Sequence, residues 1–120
     1  MKVTVERASL LKSLSHVHRV VERRTTIPIL SNVLLRAEQG ALHLRATDLD
    51  LEVTETLPAD IEKAGATTVA AHMLHDIIRK LPDGAQVSLD NSGDATQLVI
   101  RSGRSRFTLQ ALPDSDFPDL

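Results

Sequence analysis

Two pairs of segments in this chain align with each other and indicate an internal duplication. LHLRATDLDLEV at positions 42–53 aligns with LVIRSGRSRFTL at 98–109, at a constant offset of 56. VTV at 3–5 aligns with TTV at 67–69, at an offset of 64. A duplicated segment of this kind is typical of a fold built from two copies of one supersecondary unit. The two offsets differ because the second copy has shorter loops.

The first copy is predicted to contain one strand, one helix and three further strands. MKVTV alternates and is β-branched, which predicts a strand. Leu10, Leu14 and Val17 recur at helical spacing, which predicts a helix from about Arg7 to Val20. NVLLRAE, LHLRAT and LDLEVTETL are the next three strands, with a turn at Gly40 between the first two.

The second copy repeats this order after ADIEKAGA, which is predicted to be a loop. TTVA is a strand, AHMLHDIIRKL a helix ended by PDG, and AQVSLD, TQLVIR and SRFTLQAL are three strands. We therefore expect an α+β fold of two βαβββ repeats, at about 1–62 and 66–112, with two helices packed on antiparallel sheets. PDSDFPDL at 113–120 lacks periodicity and is expected to start an interdomain linker.

Composition excludes several classes of protein. The chain has 120 residues, the usual size of one domain, and 42% hydrophobic residues. It has two Phe and no Trp or Tyr, which argues against a single-strand binder that stacks bases on aromatic rings. Without cysteine it has no disulfide or thiolate nucleophile. No apolar run or signal segment suggests a membrane or secretory protein, so we expect a cytoplasmic domain.

Charge is distributed unevenly along the chain. Between positions 6 and 24 there are five basic and two acidic residues, whereas between 45 and 62 there are one basic and six acidic residues. The predicted helices carry basic side chains opposite their apolar faces, and these include Lys12, Arg19, Arg79 and Lys80. Such a surface suits phosphates but lacks a constellation that reads bases. A solvated helix face would have the same pattern.

Three groupings of polar residues could carry other chemistry. His72, His75 and Asp76 have the i, i+3, i+4 spacing of a metal site, but no accompanying glutamate base. Asp48 and Asp50 could act as paired carboxylates, although a turn-capping role is favoured. No nucleophile elbow, P-loop or dinucleotide fingerprint occurs. We therefore expect no catalytic site, metal or cofactor, and a small metal-dependent hydrolase remains an alternative.

Several segments together closely resemble the first domain of bacterial sliding clamps, the beta subunits of DNA polymerase III. They are MKVTVERASLLKSL, TIPILSNVLL, TDLDLEV, GATTVAA, LPDGA and VIRSGRSRFTLQALPDSDFP, and the resemblance covers essentially the whole chain. It implies a three-domain subunit that closes head to tail with a second one into a ring. Duplex DNA would pass through a hole lined by helices. The clamp would tether the replicative polymerase, and the polymerase and clamp loader would bind through later domains.

The resemblance also implies roles for particular residues. Arg24 matches a DNA-contacting loop arginine, Lys12 a lining lysine, and His72 a position that is often basic. The DNA-binding set is expected to be Lys12, Arg19, Arg23, Arg24, His72, Arg79 and Lys80.

The last strand is expected to be a sheet edge that forms the dimer interface. There Arg104 and Arg106 would alternate to one side and pair with acidic residues of the other subunit. Phe107 and Leu109 would point the other way, into the apolar part of the junction or onto this domain's own helices. Alternatively, the arginines only guard the edge, or the chain is a free-standing protein-interaction domain that uses this strand.

Overall fold

The computed structural model describes residues 1–21 and 26–119 and shows nine strands and two α-helices among them. The helices are α1 (Arg7–Val17) and α2 (Ala71–Arg79). The strands are β1 (Lys2–Glu6), β2 (Asn32–Glu38), β3 (Ala41–Thr47), β4 (Glu52–Pro58), β5 (Asp60–Lys63), β6 (Gly65–Ala70), β7 (Gln86–Asp90), β8 (Gln97–Ser102) and β9 (Ser105–Leu112). The predicted α+β class is confirmed. No helix in this part of the chain is long and apolar enough to cross a bilayer.

Several predicted elements differ from the structure. Strand β4 begins at Glu52 instead of Leu49, and α2 ends at Arg79 instead of Leu81. The first helix ends at Val17 and continues as a 3-10 turn over His18–Val20, instead of running as α-helix to Val20. ADIEKAGA is not a loop, because β5 lies within it and β6 begins at Gly65. The polar side chains of β5 give no strand signal. Its backbone pairing with β1, which includes Val3 opposite Ile61, is a tertiary contact that local sequence does not encode.

The two repeats exchange their first strands. Strand β1 of the first repeat pairs antiparallel with β7 of the second, with Val3 opposite Leu89. Strand β6 of the second repeat pairs antiparallel with β2 of the first, with Val33 opposite Val69. Each of these strands runs directly into the helix of its own repeat. Each helix is therefore joined to a strand in the other repeat's sheet.

A bent strand in each repeat joins the two halves again. Strands β4 and β5 are separated by Ala59 alone; β4 pairs with β3 of its own repeat, and β5 with β1. Strand β9 of the second repeat also pairs with both halves, although it is a single strand. Its residues 105–110 pair with β8 of its own repeat, and Ala111 and Leu112 pair with β6. The resulting strand order is β4-β3-β2-β6-β9-β8-β7-β1-β5. Strands that bend from one sheet to another form corners of this kind.

The helices cover a single aliphatic core. Helix α1 buries Leu10, Leu14 and Val17, and α2 buries Leu74 and Ile78. They lie side by side and antiparallel, since the later residues of α1 contact the earlier residues of α2. The strands contribute buried side chains from both repeats to the same cluster, among them Val3, Leu35, Leu44, Val69, Leu89, Leu98 and Ile100.

Tight hairpins set the register of the two meanders. Gln39 and Gly40, between β2 and β3, both have positive φ (53° and 73°), as a type I′ turn requires. Between β8 and β9 the turn residues are Gly103, with φ 57°, and Arg104, which fits a type II′ turn. Arg104 therefore lies in the turn, and the expectation that it alternates with Arg106 along the strand was wrong.

The segment after β9 packs on the domain as far as the structure describes it. Asp114–Asp116 form a 3-10 turn, and the Phe117 side chain is buried. The Arg45 guanidinium lies 5.3 Å from the centre of the Phe117 ring, and its Nη2 donates to the Pro118 carbonyl at 2.6 Å. This arginine fixes the course of the chain through Pro118. The domain boundary at 112 stays a prediction.

Arg7 ties the start of α1 to the end of α2. Its Nε donates to the Ile78 carbonyl at 3.1 Å and its Nη2 to the Arg79 carbonyl at 2.9 Å. The Ile78 carbonyl also accepts from the Leu81 amide at 3.2 Å, so the guanidinium adds a charged donor there and is the donor to the Arg79 carbonyl. Its Nη1 also lies 2.8 Å from Asp83, a fully exposed side chain.

Replacing Arg7 with Met should lower the free energy of unfolding by about 2 kcal/mol, because two helix-end carbonyls lose a hydrogen bond from a charged donor. Urea denaturation followed by circular dichroism measures this. The control is Asp83→Asn, which removes only the exposed ion pair and should lower the free energy of unfolding much less. If the two substitutions lowered the free energy of unfolding equally, the hydrogen bonds from Arg7 to the carbonyls would contribute nothing to stability.

Candidate nucleic-acid interface

The outer side of the two helices carries four exposed cationic side chains, which we call the helix-pair surface. Lys12 lies on α1 and Arg19 on the 3-10 turn that continues it, and Arg79 and Lys80 lie at the end of α2. On α1 this arc faces away from the buried leucines, as the helical period requires. Sequence reasoning selected all four residues, and each of them is exposed in the structure.

One acidic side chain lies among these cations. Asp76 of α2 is 3.8 Å from Arg79 Nη2, a partly exposed pair one helical turn apart. Exposed pairs of this type contribute little to stability, and Asp76 offsets one of the four positive charges. His16 of α1 turns to the other side, where its Nδ1 lies 2.9 Å from Glu55 Oε1 on β4. Arg23 and Arg24 lie outside the described residues.

His72 occupies a different environment from the four cations. It is half-buried between the helices, and its Nε2 lies 2.7 Å from the Val21 carbonyl. Its other nitrogen, Nδ1, lies 3.4 Å from His18 Nδ1. The ring therefore makes contacts inside the helix pair, and a direct role for His72 in binding DNA stays a prediction.

His18 and His75 complete a cluster that we call the histidine seam, defined as His18, His72 and His75. The His18 and His75 rings are stacked, with centroids 4.0 Å apart and planes 14° apart. The His18 and His72 rings meet edge to face at 5.3 Å. Sequence reasoning did not assign His18 or His75 to the DNA-binding set. The i, i+3 spacing of His72 and His75 was the available signal, but nothing in it shows that His18 lies opposite.

The alternative groupings of polar residues have structural explanations. Among residues 1–21 and 26–119, no three His, Cys, Asp or Glu side chains are arranged to hold a metal ion. Asp48 Oδ1 accepts hydrogen bonds from the Asp50 and Leu51 amides at 3.0 and 2.7 Å, which fits the turn-capping role.

Two aspartates with perturbed titration also belong to turns. The pKa of Asp90 is lowered chiefly by a hydrogen bond from the Ser92 hydroxyl, and that of Asp94 by one from Thr96. Local turn hydrogen bonds are therefore the largest cause of both shifts.

The acidic residues lie on the first repeat's outer strands and their turns. Glu62 on β5 is 3.2 Å from Lys2, and Glu52 on β4 is 3.3 Å from Arg45 Nε, although this nitrogen is not aligned for a hydrogen bond. Of the six acidic residues between positions 45 and 62, Glu52, Glu55 and Glu62 therefore have a basic side chain close by. The excess negative charge belongs to strands and turns, whereas the four exposed cations belong to the helix pair.

Strand β9 is an edge over only part of its length. Residues 105–110 pair with β8 on one side and with no described strand on the other, whereas Ala111 and Leu112 pair with β6. Arg104 and Arg106 are exposed and make no ion pair with any described residue. Phe107 packs partly on the core, and Leu109 is 5% exposed within it. Leu109 therefore follows the expectation of packing within this domain.

A groove of about 390 Å³ runs beside this edge. Its lining includes Met73 of α2, which is 56% exposed, together with Leu109 and Leu112. Met73 lies on the side of α2 that faces away from α1. Sequence reasoning missed it because the helical pattern alone does not show which element lies beside each helix face.

Comparisons with known proteins agree with this arrangement. The family model described as "DNA polymerase III beta subunit, N-terminal domain" matches residues 1–120. A protein of Caulobacter vibrioides named "Beta sliding clamp" is 59% identical over 118 residues, which are 98% of this chain, and the protein of the same name in Escherichia coli K12 is 46% identical over 121 residues. This chain spans 32% of the length of each.

A solved structure gives the same result. The structure titled "Caulobacter crescentus pol III beta" superposes with a TM-score of 0.97 at 58% identity, covering 100% of this chain and 32% of that one. The matched family, the identities and the shared fold lead to one conclusion. The chain belongs to the family of DNA polymerase III beta subunits, the bacterial sliding clamps, and corresponds to their N-terminal domain.

Proposed function

We propose that this chain is the first domain of a ring-shaped clamp that encircles duplex DNA without sequence specificity and confers processivity on the replicative polymerase. The observation that carries the proposal is the helix-pair surface. Two helices from a duplicated unit lie antiparallel, and the exposed cations Lys12, Arg19, Arg79 and Lys80 lie on them or directly after them. The phosphate backbone of duplex DNA can lie against such a surface.

The chemistry of this surface suits sliding better than tight binding. Lysine and arginine contacts to phosphate are independent of sequence, exchange readily through water, and weaken steeply with salt. The described residues of the two helices include no Asn or Gln, the side chains that pair with adenine edges, and we propose that the four cations contact phosphates instead of bases. A closed ring would supply retention by topology, and the acidic strands would disfavour DNA on the other side.

This role requires no reaction in the domain itself. The clamp would act as a processivity subunit of a polymerase complex in the cytoplasm, with neither catalytic site nor cofactor. The proteins it resembles are named sliding clamps, which supports a tethering role. The polymerase and clamp loader would bind elsewhere on the full subunit.

We place the contact with the second subunit at the open part of β9. Its unpaired backbone can add a strand, and Arg104 and Arg106 can pair with acidic side chains of the partner. Phe107 would contribute from its partly exposed side, whereas buried Leu109 would support the strand from within. Two such contacts, each head to tail, would close a homodimeric ring.

A second candidate function rests on the same edge. The open ladder of β9 and the groove beside Met73 could hold an extended peptide of an unrelated protein. The chain would then be an interaction domain that never contacts nucleic acid. A measurement of binding to duplex DNA distinguishes the two functions, because only the clamp domain should bind it.

The chain should bind a 30-base-pair duplex weakly, and only at low salt. Replacing Lys12 and Arg19 with Glu should weaken binding at least about tenfold and make the dependence of log K on log salt shallower by about 2. Fluorescence anisotropy at several salt concentrations measures both quantities.

The matched control replaces Arg36 and Lys63 with Glu, because this makes the same charge change on exposed positions of β2 and β5. It should reduce binding much less. Equal losses in the two double variants would indicate a net-charge effect and count against the helix-pair surface. Sequence-specific, nanomolar binding at physiological salt would contradict the proposal.

In the full-length subunit, replacing Arg104 and Arg106 with Glu should shift the protein from dimer to monomer. Reversing two interfacial charges should raise the dimer dissociation constant by about 100-fold or more. Sedimentation velocity over a range of concentrations gives this constant, with the Arg36 and Lys63 variant again as the charge-matched control. An undiminished dimer in the Arg104 and Arg106 variant would remove the interface role.

A further inference from the structure

We propose that Arg45 latches the segment after β9 onto the first repeat and thereby sets the direction in which the polypeptide leaves the domain. We call residues 113–119 of this segment the exit arm. The exit arm follows the last strand of the second repeat, yet it lies against β2 and β3 of the first. The chain spans 32% of the length of its relatives, so this direction bears on how a longer subunit is arranged. The inference does not depend on DNA binding.

The sheet beneath the exit arm has a buried leucine on its outer face. Side chains alternate along β2, so Val33 and Leu35 point into the core and Leu34 points outward. Leu34 is nevertheless only 6% exposed. It lines a pocket of about 310 Å³ together with Arg45 and the buried Phe117. A segment that covers the outer face explains why this leucine is buried, and the exit arm is that segment.

Arg45 holds the exit arm at two successive residues. Its guanidinium lies 5.3 Å from the centre of the Phe117 ring, a distance at which a cation and an aromatic ring attract each other. Its Nη2 donates to the Pro118 carbonyl at 2.6 Å, a charge-assisted hydrogen bond. The same nitrogen lies 3.7 Å from Asp119, but that side chain is 96% exposed and the pair contributes little. The ring contact and the carbonyl bond therefore form the latch.

The orientation of Arg45 leaves one of its nitrogens without a hydrogen bond. Nε is buried, and no described residue accepts a hydrogen bond from it, although Glu52 Oε1 lies 3.3 Å away. A buried donor in this state lowers stability. An arginine that served only as a surface charge would turn this nitrogen to water. The contacts at the other end of the guanidinium explain why Arg45 keeps this orientation.

The duplication provides an internal comparison for the latch. Arg45 aligns with Arg101, and each lies on the middle strand of the three that end its repeat. On the preceding strand, Arg45 has Leu34 as its partner, whereas Arg101 has Ser88. Arg101 is exposed and lies 4.0 Å from Asp90. The second repeat thus has the arginine but not the outward leucine, so only the first repeat offers a place for the exit arm.

Other hydrogen bonds hold the start of the exit arm. The Thr68 hydroxyl donates to the Leu112 carbonyl at 2.9 Å, just before the arm begins. The Phe117 amide donates to the Asp114 carbonyl at 3.0 Å within the 3-10 turn. Arg36 lies 3.6 Å from Asp114, but both side chains are partly exposed, so this pair is weak. Loss of Arg45 should therefore release the end of the arm and leave its start attached.

Nuclear magnetic resonance relaxation of the ¹⁵N-labelled chain tests the latch. The order parameters of the amides at 115–117 should fall from about 0.85 to below about 0.6 in Arg45→Met. The matched control is Arg101→Met, which removes the corresponding arginine of the second repeat and the same charge. It should leave the exit arm as rigid as the strands. Phe117→Ala removes the ring from the other side of the contact, and it should release the arm although Arg45 is present.

Limited proteolysis of the full-length subunit tests the same claim where the exit arm is joined to further polypeptide. A protease that cleaves before aspartate can cut at Asp114, Asp116 and Asp119 once the arm is released. Mass spectrometry should show these cuts about tenfold faster in Arg45→Met than in the unmodified or Arg101→Met subunit. An exit arm that stays rigid and uncut in both Arg45→Met and Phe117→Ala would overturn the inference. Equal release by Arg45→Met and Arg101→Met, or an arm already mobile in the unmodified protein, would also overturn it.

Discussion

The exchange of first strands between the repeats determines the positions of all the other elements. Strand β1 lies between β7 and β5, and β6 lies between β2 and the end of β9. Neither repeat can form its complete sheet without a strand of the other. The side chains of both halves consequently fill one core, in which Val3 of β1 and Val69 of β6 are completely or almost completely buried.

This exchange also fixes the surface that we propose meets DNA. Each helix begins at the residue after its exchanged strand, so its direction follows from the sheet. The two helices become antiparallel neighbours, and Arg7 locks the start of one to the end of the other. The exposed cations Lys12, Arg19, Arg79 and Lys80 lie on these helices or directly after them. The histidine seam lies where they meet, and its three rings touch only because the helices are neighbours.

Periodicity and the duplication made most of this architecture predictable. Both helices and eight of the nine described strands follow from alternation or helical spacing, and the duplication indicates which elements correspond. Strand β5 was missed because Asp60, Glu62 and Lys63 carry no apolar pattern, and tertiary pairing with β1 decides its conformation. Arg104 was misplaced because Gly103 starts a two-residue turn, which shifts the arginine out of the strand.

The site was predictable in its charges but not in its contacts. Lys12, Arg19, Arg79 and Lys80 could be chosen from the helical wheel, since a position opposite buried leucines is exposed whatever lies beyond it. His18 and His75 could not, because their environment depends on which helix face meets which neighbour. The groove beside Met73 could not be predicted either, because the sequence does not show that β9 lies beside this face of α2.

Native-state hydrogen exchange tests the central claim that strand exchange makes the two repeats one unit. Amides of β3, which belongs to the first repeat, and of β8, which belongs to the second, should exchange with the same free energy of opening. Val3→Ala in β1 should lower that free energy equally in both strands. If one of these strands instead opened at a clearly lower free energy, or if the substitution weakened only one of them, the repeats would be independent and the account would be wrong.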